Sequence, residues 1–376
     1  MIEFILNTKI ISGHNALLEL DFSKFKRVSI FTDNNMLKIG ACDSTIELMK
    51  KNNIDYEIFS DIEPDPSFEI VIKCLSKILT FESDTIIAIG GGSVIDTAKS
   101  VIYFALEINK RMPSGLKKPF FIAVPTTSGT GSEVTSYAVI TDKENHQKVP
   151  LLSNKMLPDI ALLDSQFTLT VPPRITAETG MDVMTHAFES YVSVNSSPFT
   201  MPYSEYAIIG VFNNISKAVH NGKDVKARIA MHELSCTAGI AFNNAGLGLI
   251  HAMAHALGGR FRQPHGRANA ILMPYVIEYN AMHCKKSAAK YAKIITLLNV
   301  KNIDDITASK ILKSLILELN KTIGINQKIT DYGVDKAEFE NAIDEMASHA
   351  LKDVCILTNP VKPSLEDVKN IYRNLI

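Results

Sequence analysis

The chain has few cysteines, and they are scattered. Its 376 residues contain five, and no two of them form a Cys-x-x-Cys pair. An odd number of isolated cysteines argues against a disulfide framework and against a zinc knot built from paired thiols. We therefore expect free thiols in a reducing compartment. They are Cys42, Cys74, Cys236, Cys284 and Cys355.

Net charge is also almost absent. The 39 basic and 40 acidic residues give a formal net charge of -1. This balance provides no long-range attraction to nucleic acid or to an anionic membrane surface. No apolar run is long enough to span a bilayer, and the first residues lack the pattern of a secretory signal. The sequence thus predicts a cytoplasmic protein whose partners are small molecules, with no nucleic acid and no membrane among them.

The length of the chain and a change in its patterning predict two domains. The first half alternates β-branched or aromatic runs with amphipathic stretches, which is typical of a parallel sheet covered by helices. From about residue 176, Ala- and Met-rich segments with helical periodicity continue to the end. We predict an α/β domain at 1–175 and a helical domain at 176–376. The predicted strands are 27–33, 55–61, 84–90 and 120–127, with a short strand or hairpin near the N-terminus.

A glycine-rich segment, GGGSVIDTAK at 90–99, follows a predicted strand and precedes a helix predicted from Ser93. Successive glycines let backbone N–H groups approach a pyrophosphate at a helix N-terminus, where the helix dipole favours anions. The segment lacks the spaced third glycine of the usual dinucleotide fingerprint. A tight turn that needs glycine for positive φ is the alternative.

Two other segments are candidates to contact a dinucleotide. Asp33 ends the predicted strand 27–33, where a carboxylate can accept hydrogen bonds from a ribose 2′-hydroxyl and repel a 2′-phosphate. This placement favours NAD over NADP. The hydroxyl-rich turn PTTSGTGSEVTS offers Thr126, Thr127 and Thr130 to phosphate or nicotinamide groups, although such turns also satisfy their own backbone.

Four side chains are spaced as metal ligands. Asp182 and His186 are four residues apart, which places both on one face of a predicted helix, and His251 begins a second such pair with His255. A Gly-Gly pair at 258–259 is predicted to end that second helix, so that His265 follows in a loop. Asp182, His186, His251 and His265 can then face one another around a metal.

Two members of this quartet also have a structural interpretation. His251 alone is more often a core histidine bonded to backbone, and Asp182 could be a first-turn carboxylate that complements a helix dipole. The four together favour a metal site. Imidazole and carboxylate accept iron, zinc, cobalt or nickel, so the ligand set does not choose the metal.

Taken together, the motifs GGGSVIDTAK, PTTSGTGSEVTS, TAETGMDVMTHAFESYV and GLGLIHAMAHALGGRFRQPHGRANAILMP resemble the iron-containing (group III) alcohol dehydrogenase family. The resemblance runs from the N-terminal strand nearly to the C-terminus. Within the family, EPDP, TVPPRITAETGMDV and AFNNAGLGL are most similar to the 1-propanol dehydrogenases of propanediol-degrading bacterial microcompartments. Ethanolamine-pathway enzymes are near neighbours.

The resemblance implies a Rossmann-like N-terminal domain and an all-helical C-terminal domain (the dehydroquinate synthase-like fold), with NAD and Fe(II) in a cleft between them. It implies the same four metal ligands and makes His255 the candidate proton relay. Asp65 stands where many members have Asn, which departs from the family pattern. The implied cofactor positions are Asp33, Gly91, Gly92, Ser93, Asp96, Thr126, Thr127, Thr130 and Lys148.

The activity that the resemblance implies is reduction of short-chain aldehydes, propanal to 1-propanol or acetaldehyde to ethanol, with NADH as the reductant. It also implies a homodimer or larger assembly, and the subgroup adds a microcompartment shell or neighbouring enzymes as partners. Tyr137 and Phe242 are the implied substrate-pocket aromatics, unless they are ordinary core. Arg262 and Arg267 either meet an anionic group or a partner surface, or lie in a solvated loop.

Three other functions are open to this sequence. One is a zinc-dependent polyol dehydrogenase of the glycerol type. Another is a dehydroquinate-synthase-like lyase, which would need a basic cluster near the metal, for which Arg260, Arg262 and Arg267 are the candidates. The third is a scaffold with an incompetent site.

Overall fold

The computed structural model describes residues 2–111, 117–143 and 147–376. The chain forms two compact units, Leu6–Thr170 in one and Val171–Ile376 with the first five residues in the other. The division lies five residues before the predicted boundary. The backbone N–H of Ile5 donates to Asn244 Oδ1 at 2.6 Å, and this hydrogen bond attaches the N-terminal segment to the helical unit.

The first unit contains eight strands among its described residues. They are β1 (Lys9–Gly13), β2 (Arg27–Phe31), β3 (Asp55–Phe59), β4 (Thr85–Gly90), β5 (Phe120–Pro125), β6 (Tyr137–Asp142), β7 (Gln147–Leu152) and β8 (Ile160–Asp164). Six of them form a parallel sheet in the order β1-β8-β5-β4-β2-β3, and β6 and β7 pair antiparallel. The four predicted strands correspond to β2 through β5.

Helices cover both faces of the parallel sheet. Alternate residues of β4 enter different cores, because successive side chains of a strand point to opposite faces. Ile86 and Ala88 belong to one core, and Ile87 and Ile89 belong to the other. The helices of this unit are α1 (Asn34–Lys38), α2 (Asp43–Lys51), α3 (Phe68–Phe81) and α4 (Gly92–Arg111). The α/β layering predicted from the sequence is confirmed.

The second unit is helical, with no strand among its described residues. Its helices are α5 (Pro173–Val192), α6 (Met201–His220), α7 (Val225–Ala245), α8 (Leu249–Phe261), α9 (His265–His283), α10 (Lys285–Leu297), α11 (Asp305–Thr322), α12 (Lys336–Ala350) and α13 (Leu365–Arg373). Helix α5 is buried along nearly all of its length and packs against α6, α7 and α9. Within the described ranges, none of the helices is apolar over a stretch long enough to cross a membrane.

The end of α8 differs from the prediction. Gly258 and Gly259 lie inside the helix, which continues to Phe261, where Arg262 takes a left-handed conformation with φ of 52°. Pro264 then precedes α9, so His265 is the first residue of a helix and not a loop residue. The prediction that the glycine pair ends the helix was wrong, since buried Leu257 and the partly buried Phe261 hold this last turn against the core.

Candidate functional site

Helix α5 supplies two of the predicted metal ligands. Asp182 and His186 are buried, and His186 Nε2 lies 3.8 Å from Asp182 Oδ1. Because α5 begins at Pro173, Asp182 is in the middle of the helix, and its interpretation as a first-turn carboxylate is wrong. Burying a carboxylate without a partner costs free energy. Partners for Asp182 are therefore expected among the side chains of this site.

Helices α8 and α9 bring the other two predicted ligands to the same oxygen. The Nε2 atoms of His251 and His265 lie 3.7 Å and 3.5 Å from Asp182 Oδ1. A tetrahedral ion with ligand bonds of about 2.1 Å holds its donors about 3.4 Å apart. The three distances to Asp182 Oδ1 therefore suit a first-row divalent metal, and the donor atoms of Asp182, His186 and His251 all lie within 4.8 Å of one another. His265 is 41% exposed and lies on the open side of the cluster.

The protonation states of His251 and Asp182 also favour binding of a cation. Burial, with His186 and His265 as neighbours, lowers the pKa of His251 well below its ordinary value. Burial alone would raise the pKa of Asp182, but the neighbouring histidines and an amide hydrogen bond hold it below the ordinary range. A neutral imidazole beside an ionised carboxylate is the form in which both groups bind metals.

Asn269 was not predicted, yet it lies among the donors. Its Nδ2 donates to Asp182 Oδ1 at 2.7 Å and lies 3.2 Å from His265 Nε2. Its Oδ1 accepts no hydrogen bond from a described residue. Asn269 follows His265 by four residues on α9, and this i, i+4 interval is the sequence feature that could have identified it. The amide restricts how the carboxylate can turn.

Glu189 was also missed. It lies on α5 seven residues after Asp182 and three after His186, which places all three on one helix face. Its Oε2 is 2.6 Å from His251 Nδ1, and its Oε1 accepts from the backbone N–H of Ile250 at 2.6 Å. The spacing from Asp182 would have identified it.

The predicted proton relay, His255, lies beside the cluster. Its ring stacks on His265 with centroids 5.3 Å apart, and its side chain is 45% exposed. Its Nδ1 is 2.8 Å from Asp353 Oδ2. Burial works against ionisation of Asp353, but the hydrogen bond to His255 and its charge hold the pKa of Asp353 down at about 2. Asp353 is remote in sequence, and no spacing pointed to it.

The predicted substrate aromatics occupy different surroundings. Phe242 stacks on His186 with ring centroids 4.4 Å apart and forms an apolar wall beside the cluster. Tyr137 begins β6 in the other unit and is partly exposed.

The arginines near the metal motifs are mostly paired. Arg267 donates to Glu178 Oε1 at 2.6 Å, and its side chain is only 12% exposed, so its interpretation as a solvated loop residue is wrong. Arg260 pairs with Glu338 at 3.0 Å, whereas Arg262 is exposed. Two of the three cations are thus already neutralised within the protein.

In the first unit, the glycine-rich segment joins β4 to α4 as predicted. None of Gly90, Gly91 and Gly92 has a positive φ, so the interpretation as a turn that needs left-handed glycine is wrong. Close packing explains them instead. A Cβ on Gly90 would lie 2.4 Å from Val94 Cγ2, and one on Gly92 would lie 2.9 Å from Thr130 Cγ2.

The threonine-rich turn lies next to this loop. Gly90 is paired in register with Pro125, and Thr126 N–H donates to Gly90 O at 3.0 Å. A Cβ on Gly91 would lie 3.6 Å from Thr127 Oγ1, which is an ordinary contact. The parallel pairing therefore brings Thr127 and Thr130 to the glycine loop.

Both oxygens of Asp96 are bound within the protein. Asp96 accepts from Ser132 Oγ at 2.6 Å and from Val139 N–H at 3.0 Å. Beneath it, the fully buried ammonium of Lys99 donates to Ser132 Oγ at 2.7 Å and to Thr135 Oγ1 at 3.0 Å. Sequence reasoning missed Lys99 and Ser132. The network holds the threonine-rich turn against α4.

The remaining predicted cofactor residues lie in different places, since Asp33 follows β2 of the parallel sheet and Lys148 lies in β7 of the antiparallel pair. Asp33 Oδ1 accepts from Asn35 N–H at 2.8 Å and from Met36 N–H, so it caps α1. Lys148 pairs with Asp65, whose N–H donates to Ser93 Oγ at 3.4 Å. Asp65, which stands where many family members have Asn, thus connects Lys148 with the glycine loop.

Comparison with known proteins covers both units. The family model described as iron-containing alcohol dehydrogenase matches residues 7–165, and the model for the C-terminal part of the Fe-containing alcohol dehydrogenase family matches 176–376. An NADPH-dependent butanol dehydrogenase of Clostridium saccharobutylicum is 38% identical over 383 residues, 99% of this chain and 97% of that one. The 1-propanol dehydrogenase PduQ of Citrobacter freundii is 38% identical over 100% of both chains. A crystal structure of 1,3-propanediol oxidoreductase has a TM-score of 0.91 and 32% identity, with 100% of both chains covered.

Proposed function

Because the chain belongs to the iron-containing alcohol dehydrogenase family, we propose that it reduces short-chain aldehydes with NADH at the Asp182 cluster. The observation that carries the proposal is the convergence of three imidazole Nε2 atoms on Asp182 Oδ1 at 3.5–3.8 Å. A divalent ion in such a site, Fe(II) or zinc, polarises a carbonyl and stabilises negative charge on its oxygen.

The residues around the cluster favour a small apolar substrate. Phe242 presents an aromatic ring beside His186, and Arg267 is neutralised by Glu178. A phosphorylated substrate, as a lyase of the dehydroquinate-synthase type requires, would need free cations there. We therefore place propanal and acetaldehyde ahead of polyols and phosphorylated compounds.

The substrate preference is tested by initial rates of NADH oxidation with propanal, acetaldehyde and dihydroxyacetone, and of NAD reduction with 1-propanol and glycerol. The proposal expects the highest kcat/KM for the two short aldehydes. A higher kcat/KM for dihydroxyacetone or glycerol would favour the polyol dehydrogenase. If no NADH were consumed with any carbonyl, the lyase and scaffold alternatives would gain support.

We propose that the dinucleotide pyrophosphate binds at the glycine loop, where α4 begins at Gly92. The backbone N–H groups and helix dipole supply the attraction there. Gly91→Ala is expected to leave the melting temperature almost unchanged, because its Cβ meets only an ordinary contact, yet to raise the KM for NADH about tenfold or more by blocking close approach. The matched variant Gly90→Ala should instead lose stability, by about 1–3 kcal/mol, because its Cβ collides with Val94.

Thermal unfolding and NADH titration of both glycine variants separate the two effects. The pyrophosphate assignment would be contradicted by a Gly91→Ala protein that binds NADH as tightly as the wild type.

Asp33 is proposed to set the preference for NAD over NADP. A carboxylate near a ribose 2′-phosphate repels it by about 1–4 kcal/mol in partly solvated surroundings, and 1.4 kcal/mol is a factor of ten. Asp33→Ser keeps an N-cap for α1 and removes the charge. We expect the ratio of kcat/KM for NADPH to that for NADH to rise about tenfold or more.

The control for this prediction is Asp55→Ser, which removes an exposed carboxylate at the start of β3. The NADPH preference in the name of the Clostridium relative makes this ratio worth measuring in the wild type as well. An unchanged ratio in Asp33→Ser would show that Asp33 does not discriminate between the cofactors.

Assembly and encapsulation are also part of the proposal. The chain's resemblance to propanediol-pathway enzymes supports a homodimer or larger assembly and a microcompartment setting. Light scattering of the purified protein tests the first, and co-purification with microcompartment shells tests the second.

A further inference from the structure

Glu189 is a buried carboxylate that contacts the cluster without being one of its predicted ligands. Its side chain is 4% exposed and lies on the same face of α5 as Asp182 and His186. Both of its oxygens lie within hydrogen-bonding distance of other groups, and these groups differ for the two oxygens. A buried carboxylate at this position must therefore do something that an apolar side chain cannot.

The first oxygen caps α8. This helix begins inside the core, where its first N–H groups cannot reach water. Glu189 Oε1 accepts from Ile250 N–H at 2.6 Å and from His251 N–H at 3.3 Å, and Leu249 N–H donates to Asn359 Oδ1 at 3.2 Å. Two side chains from distant segments thus satisfy the N-terminus of α8.

Gly248 allows this cap to form. A Cβ at Gly248 would lie 2.9 Å from Asn359 Oδ1 and 3.0 Å from Glu189 Oε1. Only glycine lets the two acceptors come this close to the start of the helix. The approach of Glu189 to α8 is therefore built into the backbone.

The second oxygen faces the ring of His251. Oε2 lies 2.6 Å from Nδ1, which is hydrogen-bonding distance. With Glu189 as a carboxylate, which can only accept, a neutral His251 carries its proton on Nδ1 and its lone pair on Nε2, and this Nε2 faces Asp182 Oδ1 at 3.7 Å. By contrast, Nδ1 of buried His186 has no hydrogen-bond partner among the described residues.

We propose that Glu189 is a positioning residue of the metal site, because one carboxylate both caps α8 and fixes His251 in the tautomer that presents Nε2 to the metal. This rests on the proposed function in taking the Asp182 cluster as the metal site. The start of α8 and the metal affinity then depend on the same side chain.

Glu189→Gln tests the second role with the least change in shape. The amide oxygen can still accept from Ile250 N–H, but the amide NH2 would face His251 Nδ1 and place the imidazole proton on Nε2. We expect the affinity of the metal-free protein for Co(II) or Zn(II), measured by competition with a chromophoric chelator, to fall about 10- to 100-fold.

Asn359→Ala is the matched control, because it removes an acceptor from the same helix end without touching His251. It should lower the melting temperature of the metal-free protein and leave the metal affinity near that of the wild type. Equal losses of affinity in both variants would reduce Glu189 to a helix cap. Wild-type affinity in Glu189→Gln would overturn the proposal.

Two further outcomes keep this test distinct from that of the proposed function. Wild-type protein that binds no Co(II) or Zn(II) would contradict the metal site itself, whereas tight binding by wild type and Glu189→Gln alike contradicts only the role of Glu189. If Glu189→Gln does not fold, nitrogen-15 NMR of metal-free wild type decides the matter. A proton on Nδ1 of His251 supports the proposal, and a proton on Nε2 overturns it.

Discussion

Asp182→Asn is expected to leave the purified protein without its metal and to lower kcat/KM for propanal about a thousandfold or more. Asp182 Oδ1 is the atom on which the three Nε2 atoms converge, and it belongs to the one anionic side chain of the quartet. A metal ion acting as a Lewis acid contributes several kcal/mol to such a reaction, and each 1.36 kcal/mol is a factor of ten in rate. Metal content per chain and NADH oxidation measure the two effects.

Asp344→Asn is the control for this change, since it removes an exposed carboxylate on α12 in the same helical unit. It should keep both metal and activity. The ligand assignment would fail if Asp182→Asn bound one metal per chain as tightly as the wild type and turned over propanal at a similar rate.

His255→Phe is expected to lower kcat about 100- to 10,000-fold while the metal content stays at the wild-type level. Phenylalanine keeps an aromatic ring to stack on His265, but it removes the nitrogens that can carry a proton. The structure places His255 next to the cluster and outside its four donors, with Nδ1 held by Asp353. Single-turnover rates in light and heavy water report the proton transfer.

His283→Phe serves as the control, because His283 is exposed at the far end of α9 and bonds the carbonyl of Tyr279. Its kcat should not change. Asp353→Asn should lower kcat less than His255→Phe, since it disturbs the orientation of the ring and leaves the nitrogens in place. Wild-type kcat in His255→Phe would move the proton transfer to another group.

Periodicity was sufficient for the main features of the fold and of the Asp182 cluster. The β-branched runs became β2 through β5, and the i, i+4 pairs placed Asp182 with His186 and His251 with His255 on single helix faces. Local patterns are reliable where one element alone decides which side chains share a face. Strand β8 (IALLD) was missed because it contains a single β-branched residue, whereas the equally buried β4 (TIIAIG) contains four and was predicted.

Contacts between distant segments were the part that the sequence did not predict. Asp353 is 98 residues from His255, and the pair forms only because the short 354–358 helix packs near α8. The tendency of glycine to end helices gave a wrong prediction at Gly258, because packing outweighed it there. Glu189 and Asn269 could have been found, because each repeats the helical interval of a predicted ligand on α5 or α9.

The proposed metal-dependent reduction is tested by NADH oxidation with propanal by protein purified without oxygen, before and after chelation, and again after Fe(II) or zinc is restored, with His265→Ala alongside. We expect activity to disappear on chelation, to return with the metal and to be absent from the variant. No turnover with any metal, despite stoichiometric binding, would contradict the dehydrogenase function.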